Sequence, residues 1–258
     1  MLCRVVHVLG SDVHVVTDGP ADAPPVVLTC GLAGAITDWD AVTELLSPTT
    51  RVLRFDRPGT GASTPSSQPP SARREVAVLD AVLGACGPAV VVGHSLAGLH
   101  VEAFARLRPE RVRGAVLVDP SLAPPGVGRP FDAGAVLATA LVRLGAASAA
   151  ARCASALLAV LGRPSARAGA VAELAGYADL VAEVDALRRA HPLPDVPWWV
   201  LTAGARRSVV AVHESMAGLA PHGVHRLVPE ASHMMQLDDP AAVADAVLRC
   251  LPEIRTGR

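Results

Sequence analysis

The sequence predicts an α/β fold: a mostly parallel, doubly wound sheet with helices on both faces and a helical segment inserted in its second half. Three observations carry this. Short unbroken aliphatic runs recur along the chain, as in strands buried on both faces. Segments with apolar residues at helical spacing separate them. One stretch, 122–191, keeps a helical period and shows no strand pattern. The 258 residues are 51% apolar and 18% charged, enough to bury a sizeable core and too apolar for a disordered chain.

In order, Val5-Val6-His7-Val8-Leu9 and Val13-His14-Val15-Val16 read as a hairpin turning at 10–12. Val26-Val27-Leu28 is a buried strand. Asp38 is placed to cap a helix reaching Leu46, and 51–55 is the next strand. A helix over 71–85 carries Val76, Leu79, Val82 and Leu83 on one face and stops at Gly87-Pro88. Ala89-Val90-Val91-Val92 is a strand, 95–107 a helix closed by Pro109, and Ala115-Val116-Leu117-Val118 a strand. Within the inserted block, helices are expected around 133–161 and 168–189, with Pro124-Pro125 and Pro192-Leu193-Pro194 as hinges. Strands return at 198–201 and 225–228, and a last helix covers 240–251. The alternation implies a core of 1–121 and 192–258.

Composition removes several chemistries. Net charge is −1, so no basic field draws nucleic acid or an anionic membrane. All 23 basic residues are arginine. Schiff-base lysine chemistry and a P-loop are therefore excluded. Cys3, Cys30, Cys86, Cys153 and Cys250 are scattered and contain no C-x-x-C pair. They fit neither a disulfide framework nor a zinc site, and reduced thiols in a cytoplasmic protein are expected. Arg4, His7, Asp12 and His14 break up the N-terminus, so no signal peptide is read there, and Arg143 and Arg152 interrupt the apolar 133–161 stretch, so no integral membrane segment is expected.

The sharpest motif is Gly93-His94-Ser95-Leu96-Ala97-Gly98, directly after a buried strand and opening a helix. A turn this tight holds Ser95 in a strained backbone conformation, exposes its hydroxyl at the carboxyl edge of the sheet, and tolerates only small neighbours. A serine hydroxyl needs a base within hydrogen-bond reach. His233 stands after the last strand and before the last helix, in Ser232-His233-Met234-Met235 followed by Pro240.

Strand, elbow and helix in this order, with His233 in that loop, resemble the α/β-hydrolase family along nearly the whole chain. Arg54-Phe55-Asp56-Arg57-Pro58-Gly59-Thr60-Gly61-Ala62-Ser63 is similar to the family's Asp-x-x-Gly-x-Gly-x-Ser turn and reads as structural, with Asp56 capping backbone groups. The resemblance implies Ser95 as nucleophile and His233 as base. It places a helical cap at 122–191. The family often sets its acid after the strand at 198–201, but Thr202-Ala203-Gly204-Ala205-Arg206-Arg207-Ser208 has no carboxylate. Asp119, one strand earlier, is the expected acid, with Asp238 or Asp239 as alternatives. The oxyanion donors are expected to be the amides of Leu96 and Leu32, the latter in Cys30-Gly31-Leu32. Cys30 reads as an apolar filler or a catalytic thiol. Trp39 reads as pocket lining or as packing, and His94 as packing or pocket shape, pointing away from the hydroxyl. The cap arginines (Arg143, Arg152, Arg163, Arg167, Arg188, Arg189) read as a solvated face or an anion site, and the cap tip as the place for membrane or partner contact.

A serine nucleophile argues against the aspartate-based epoxide hydrolases and haloalkane dehalogenases. The expected function is hydrolysis of a carboxylic ester, thioester or lactone of a small, largely apolar substrate through an acyl-serine intermediate, with no metal or organic cofactor. The alternatives are a ligand-binding protein or scaffold with an idle triad, and a cofactor-free peroxidase or acyltransferase.

Overall fold

The computed structural model describes residues 1–121, 164–204 and 207–251, with side chains from 169 onward in the second stretch. The helix expected around 133–161, most of the expected cap with Arg143, Arg152, Arg163 and the Arg167 side chain, and Arg206 lie outside the described residues.

The chain opens with β1 (Leu2–Val8) and β2 (Ser11–Asp18), paired antiparallel with Val8 opposite Ser11. The turn is therefore Leu9-Gly10, one step earlier than the sequence suggests. Both residues have positive φ, 49° and 73°, which matches the twist of a two-residue hairpin. Leu9 was counted as strand because it is apolar; its carbonyl accepts from Ser66 and Ser67, which holds it in the turn.

The rest alternates: β3 (Pro25–Thr29), α1 (Asp40–Leu46), β4 (Arg51–Phe55), α2 (Ala72–Leu83), β5 (Ala89–His94), α3 (Ala97–Leu107) and β6 (Val112–Val118). Then come α4 (Pro164–Ala175), α5 (Tyr177–Ala190), β7 (Pro197–Ala203), α6 (Arg207–Ala217), β8 (His222–Val228) and α7 (Pro240–Leu248). Ser71 caps α2 by accepting from the Arg74 amide at 3.2 Å, and Gly84, at φ 52°, ends it. The strand order is β1-β2-β4-β3-β5-β6-β7-β8. β1–β2 and β2–β4 are antiparallel and every later pair is parallel. This is the doubly wound sheet the alternation predicts.

Side chains alternate between two cores, as a period of two requires. Val27, Leu53, Val91 and Leu117 face a cluster with α2, α3 and α5; Val26, Leu28, Val52, Val92 and Val116 face a second with α1 and α7. Tyr177, Leu180, Val181 and Val184 of α5 belong to the first cluster, so this helix packs on the sheet's own helical layer. α6 had no expectation in the sequence. Its buried residues Val209, His213, Met216 and Ala217 make a helical stripe, hidden from pattern reading by the histidine in it. No helix of the described residues is long and apolar enough to cross a membrane.

Candidate active site

Three adjacent parallel strands set the site. Beyond the end of β5, Ser95 takes a left-handed conformation, φ 52°. Its N–H donates to Val118 O at 3.0 Å, and its own carbonyl accepts from the amides of Gly98 and Ser121, both at 3.0 Å. Strain at a non-glycine residue persists only where the surroundings over-determine it, and these three bonds do so. The small neighbours are required: a Cβ at Gly93 would lie 2.5 Å from Ala97 O, and one at Gly98 2.7 Å from the Pro120 side chain.

Asp119 does the same at the end of β6. Its φ is 39°, and its N–H donates to Leu201 O of β7 at 2.8 Å. Its side chain is 2% exposed; Oδ1 accepts from the Ala203 amide at 3.2 Å and Oδ2 lies 2.6 Å from His233 Nδ1. The other ring nitrogen, Nε2, is 3.0 Å from Ser95 Oγ. A carboxylate can only accept, so Nδ1 carries the proton and Nε2 offers its lone pair to the Ser95 hydroxyl. Ser95, His233 and Asp119 thus stand in one hydrogen-bonded line.

The two alternative acids are engaged elsewhere. Asp238 accepts from the Ser232 amide at 2.9 Å and from the Ser232 hydroxyl, closing the loop that carries His233. Asp239 caps α7 through the Ala242 amide at 2.9 Å.

His94 packs against His233. Its ring lies 4.7 Å from that of His233, and its Nε2–H donates to His233 O at 2.8 Å. Burial, helped by the charge His233 can carry, pushes its pKa down to about 3, so it stays neutral. Trp39 is fully buried in the second core among Cys30, Val42 and Leu46. The pocket-lining option for Trp39 is therefore corrected to packing, because α1 folds it under the sheet. Cys30 donates its thiol to Ala35 O at 3.0 Å. Burial, with Asp38 nearby, raises its pKa well above the ordinary thiol value, which leaves it a filler and not a thiolate.

The loop expected to supply an oxyanion donor approaches the serine closely. A Cβ at Gly31 would lie 3.0 Å from Ser95 Cβ and 2.8 Å from His94 Nδ1. Leu32 follows it and is partly buried against the first core. The Asp56 turn is structural, as its glycines suggest: Asp56 accepts from the amides of Ile36 at 3.1 Å and Ala62 at 2.9 Å.

Sequence reasoning missed two sets of residues around this site. Behind Asp119, His213 Nε2 donates to Pro120 O at 2.9 Å, which leaves Nδ1 to accept from the Thr202 hydroxyl at 2.8 Å. Thr202 in turn accepts from His225 Nε2 at 2.7 Å. The second set is Arg57 and Glu173, both buried. The guanidinium takes both oxygens of Glu173 at 2.7 and 2.8 Å and also donates to Cys30 O and to Gly31 O, the latter at 2.8 Å. An arginine in a turn and a glutamate in the last turn of a helix are both unremarkable by pattern, so no signal joined them. Among the described residues no group of three His, Cys, Asp or Glu side chains is placed to hold a metal ion.

Comparison with known proteins bears on the fold and the family. The enol-lactonase from Burkholderia xenovorans LB400 superimposes with a TM-score of 0.73 over 96% of this chain and 99% of its own, at 22% identity. A hydrolase from Pseudomonas aeruginosa PA01 gives 0.66 over 96% and 97%, at 24% identity. At such identities the likeness speaks for the fold alone. In sequence, the chain is 36% identical over 112 residues to "Putative carbamate hydrolase RutD" of Variovorax paradoxus, covering 41% of each. It spans less than half the length of the curated relatives it matches. The model of the alpha/beta hydrolase family matches residues 26–246, which take in the parallel strands and both strand-end turns but not the β1–β2 hairpin, and the chain belongs to that family.

Proposed function

We propose that the protein is a serine hydrolase that cleaves a carboxylic ester, thioester or lactone of a small, largely apolar substrate through an acyl-serine intermediate. The observation that carries this reading is the single line Ser95 Oγ, His233 Nε2 at 3.0 Å, His233 Nδ1, Asp119 Oδ2 at 2.6 Å. In the first step His233 Nε2 takes the hydroxyl proton as Ser95 Oγ bonds to the carbonyl carbon. The amides of Leu96 and Leu32 donate to the oxyanion. The imidazolium, stabilised by Asp119, gives its proton to the leaving alcohol or thiol. A water then gives a proton to His233 as its oxygen bonds to the acyl carbon, and the imidazolium returns that proton to Ser95 Oγ as the acyl–oxygen bond breaks, releasing the acid and the free serine.

Labelling with a fluorophosphonate and turnover of p-nitrophenyl acetate and butyrate test the reading. Both are expected for the wild type, and Ser95→Ala should abolish labelling and lower kcat by about four orders of magnitude or more. A folded wild type that neither labels nor turns over would make the protein a binder on a hydrolase fold. Product analysis with added peroxide or alcohol separates hydrolysis from peroxidase and acyltransfer chemistry on the same groups.

A further inference from the structure

We propose that Arg57, clamped by Glu173, is the positioning residue that sets the oxyanion donor at Leu32, an inference that rests on the hydrolase reading above. The argument starts from the peptide plane. The Gly31–Leu32 bond is trans, as are all the peptide bonds described, so the Gly31 carbonyl and the Leu32 N–H share one plane and point in opposite directions. Whatever grips Gly31 O therefore aims Leu32 N–H. Two donors grip it: the Gly34 amide at 3.1 Å and Arg57 Nη2 at 2.8 Å. Arg57 Nη1 also holds the carbonyl of Cys30, one peptide earlier. Two consecutive carbonyls are thus drawn to one side, and the amides of Gly31 and Leu32 face the other. A cation at the oxygen end also polarises the Leu32 amide and strengthens its N–H as a donor.

Glu173 takes only part of the five N–H donors of the guanidinium, and where the rest are directed is what matters. Here the fork divides its donors between Glu173 and the loop. The carboxylate is needed for a separate reason. Arg57 is 1% exposed, and an unpaired cation at that depth is costly. Burial works against its charge, but Glu173, with Glu75 and Cys30 adding to it, more than offsets burial, so the guanidinium pKa ends raised. Glu173 reaches it because α4 lies directly on the turn: a Cβ at Gly169 would come 2.2 Å from Gly59 O. The neighbouring groups do not compete for the pair. His100 of α3 is buried beside it, and burial and then Arg57 push its pKa down to about 3, so it is neutral. Glu75 of α2 is engaged by Arg74 at 2.7 Å. The oxyanion loop is therefore tied, through one buried side chain, to α4, a helix of the inserted segment.

Glu173→Gln keeps the shape and removes the charge that orients Arg57. It should lower kcat for p-nitrophenyl butyrate by about 10- to 100-fold, part of the cost of losing a whole oxyanion donor. KM should change less than about threefold, the pH midpoint of kcat/KM should stay, and the preference for an oxygen ester over its thionoester should shrink. The Leu32 amide should shift in an 15N correlation spectrum and exchange faster with solvent. Arg57→Lys, a point charge that cannot hold Glu173 and two carbonyls together, should do the same. If Glu173→Gln does not fold, Glu173→Asp, which retracts the carboxylate by one methylene, is read by the same measurements. A folded variant with wild-type kcat and an unmoved Leu32 amide overturns the proposal, as does a loss confined to KM. If the wild type hydrolyses no ester, the hydrolase reading falls by itself, and the Leu32 amide in wild type and variant still decides whether the clamp sets it.

Discussion

Ser95 and Asp119 share one device: a non-glycine residue in the left-handed region, one step past a parallel strand, with its amide bonded to the next strand over. Asp119 Oδ2 then fixes which nitrogen of His233 holds the proton. Asp119→Asn tests this at constant shape. The amide can donate to Nδ1, which reverses the tautomer and turns an N–H toward Ser95 Oγ. The expected result is a fall in kcat of two or more orders of magnitude with an unchanged far-UV spectrum and melting temperature within a few degrees, measured on p-nitrophenyl butyrate. Ser95 and Asp119 stand out in the sequence because each sits where a strand pattern ends, and His233 because the loop before the last helix resembles the family's. Arg57 and Glu173 do not, since 116 residues separate them and neither departs from what its own segment favours. Thr202, His213 and His225 were hidden in the same way: each reads as ordinary alone, and only the packing of α6 and β8 beside β7 makes them neighbours.

Among the elements, α5 is fastened to α3 by charge as well as by its apolar face. Glu102, 1% exposed, accepts from Arg106 of its own helix at 2.8 Å and from Arg188 of α5 at 2.7 Å. Arg188 was read as part of a solvated face or an anion site; its side chain is 6% exposed and its anion is this carboxylate. Glu102→Gln leaves two guanidinium groups buried with a neutral partner. Breaking one side of such a pair costs about 3–5 kcal/mol, so the urea midpoint should fall accordingly while the far-UV spectrum at zero denaturant is retained. The strands and most helices outside the insert were readable because aliphatic runs and helical stripes differ so plainly in period. The ends were less so: strands extend past their apolar centres through Arg4, Asp18 and His222, which sit on exposed or half-buried positions that a hydrophobic pattern ignores.

The whole molecule should lose stability in acid for a reason set by its buried histidines. His94 and His100 have pKa values near 3 in the fold, chiefly from burial, against 6.5 in the open chain. As pH drops below 6.5 the unfolded chain takes up two protons that the folded one refuses, so stability declines down to about pH 3. Asp38 works the other way between about 6 and 3.8, because burial raises its folded pKa to about 6 and the fold keeps a proton the open chain has lost. Two groups against one leave a net decline. Melting temperature should fall from pH 7 to pH 4, and His100→Leu should flatten that slope; an identical slope in the variant would remove His100 from the account.

The bonds that complete the site are all long in sequence: 116 residues from Arg57 to Glu173 and 138 from Ser95 to His233. On the ribosome, the segment bearing the serine emerges long before either partner exists. A growing chain therefore carries an unassisted alcohol at Ser95 until the imidazole 138 residues further on has been made and packed beside it.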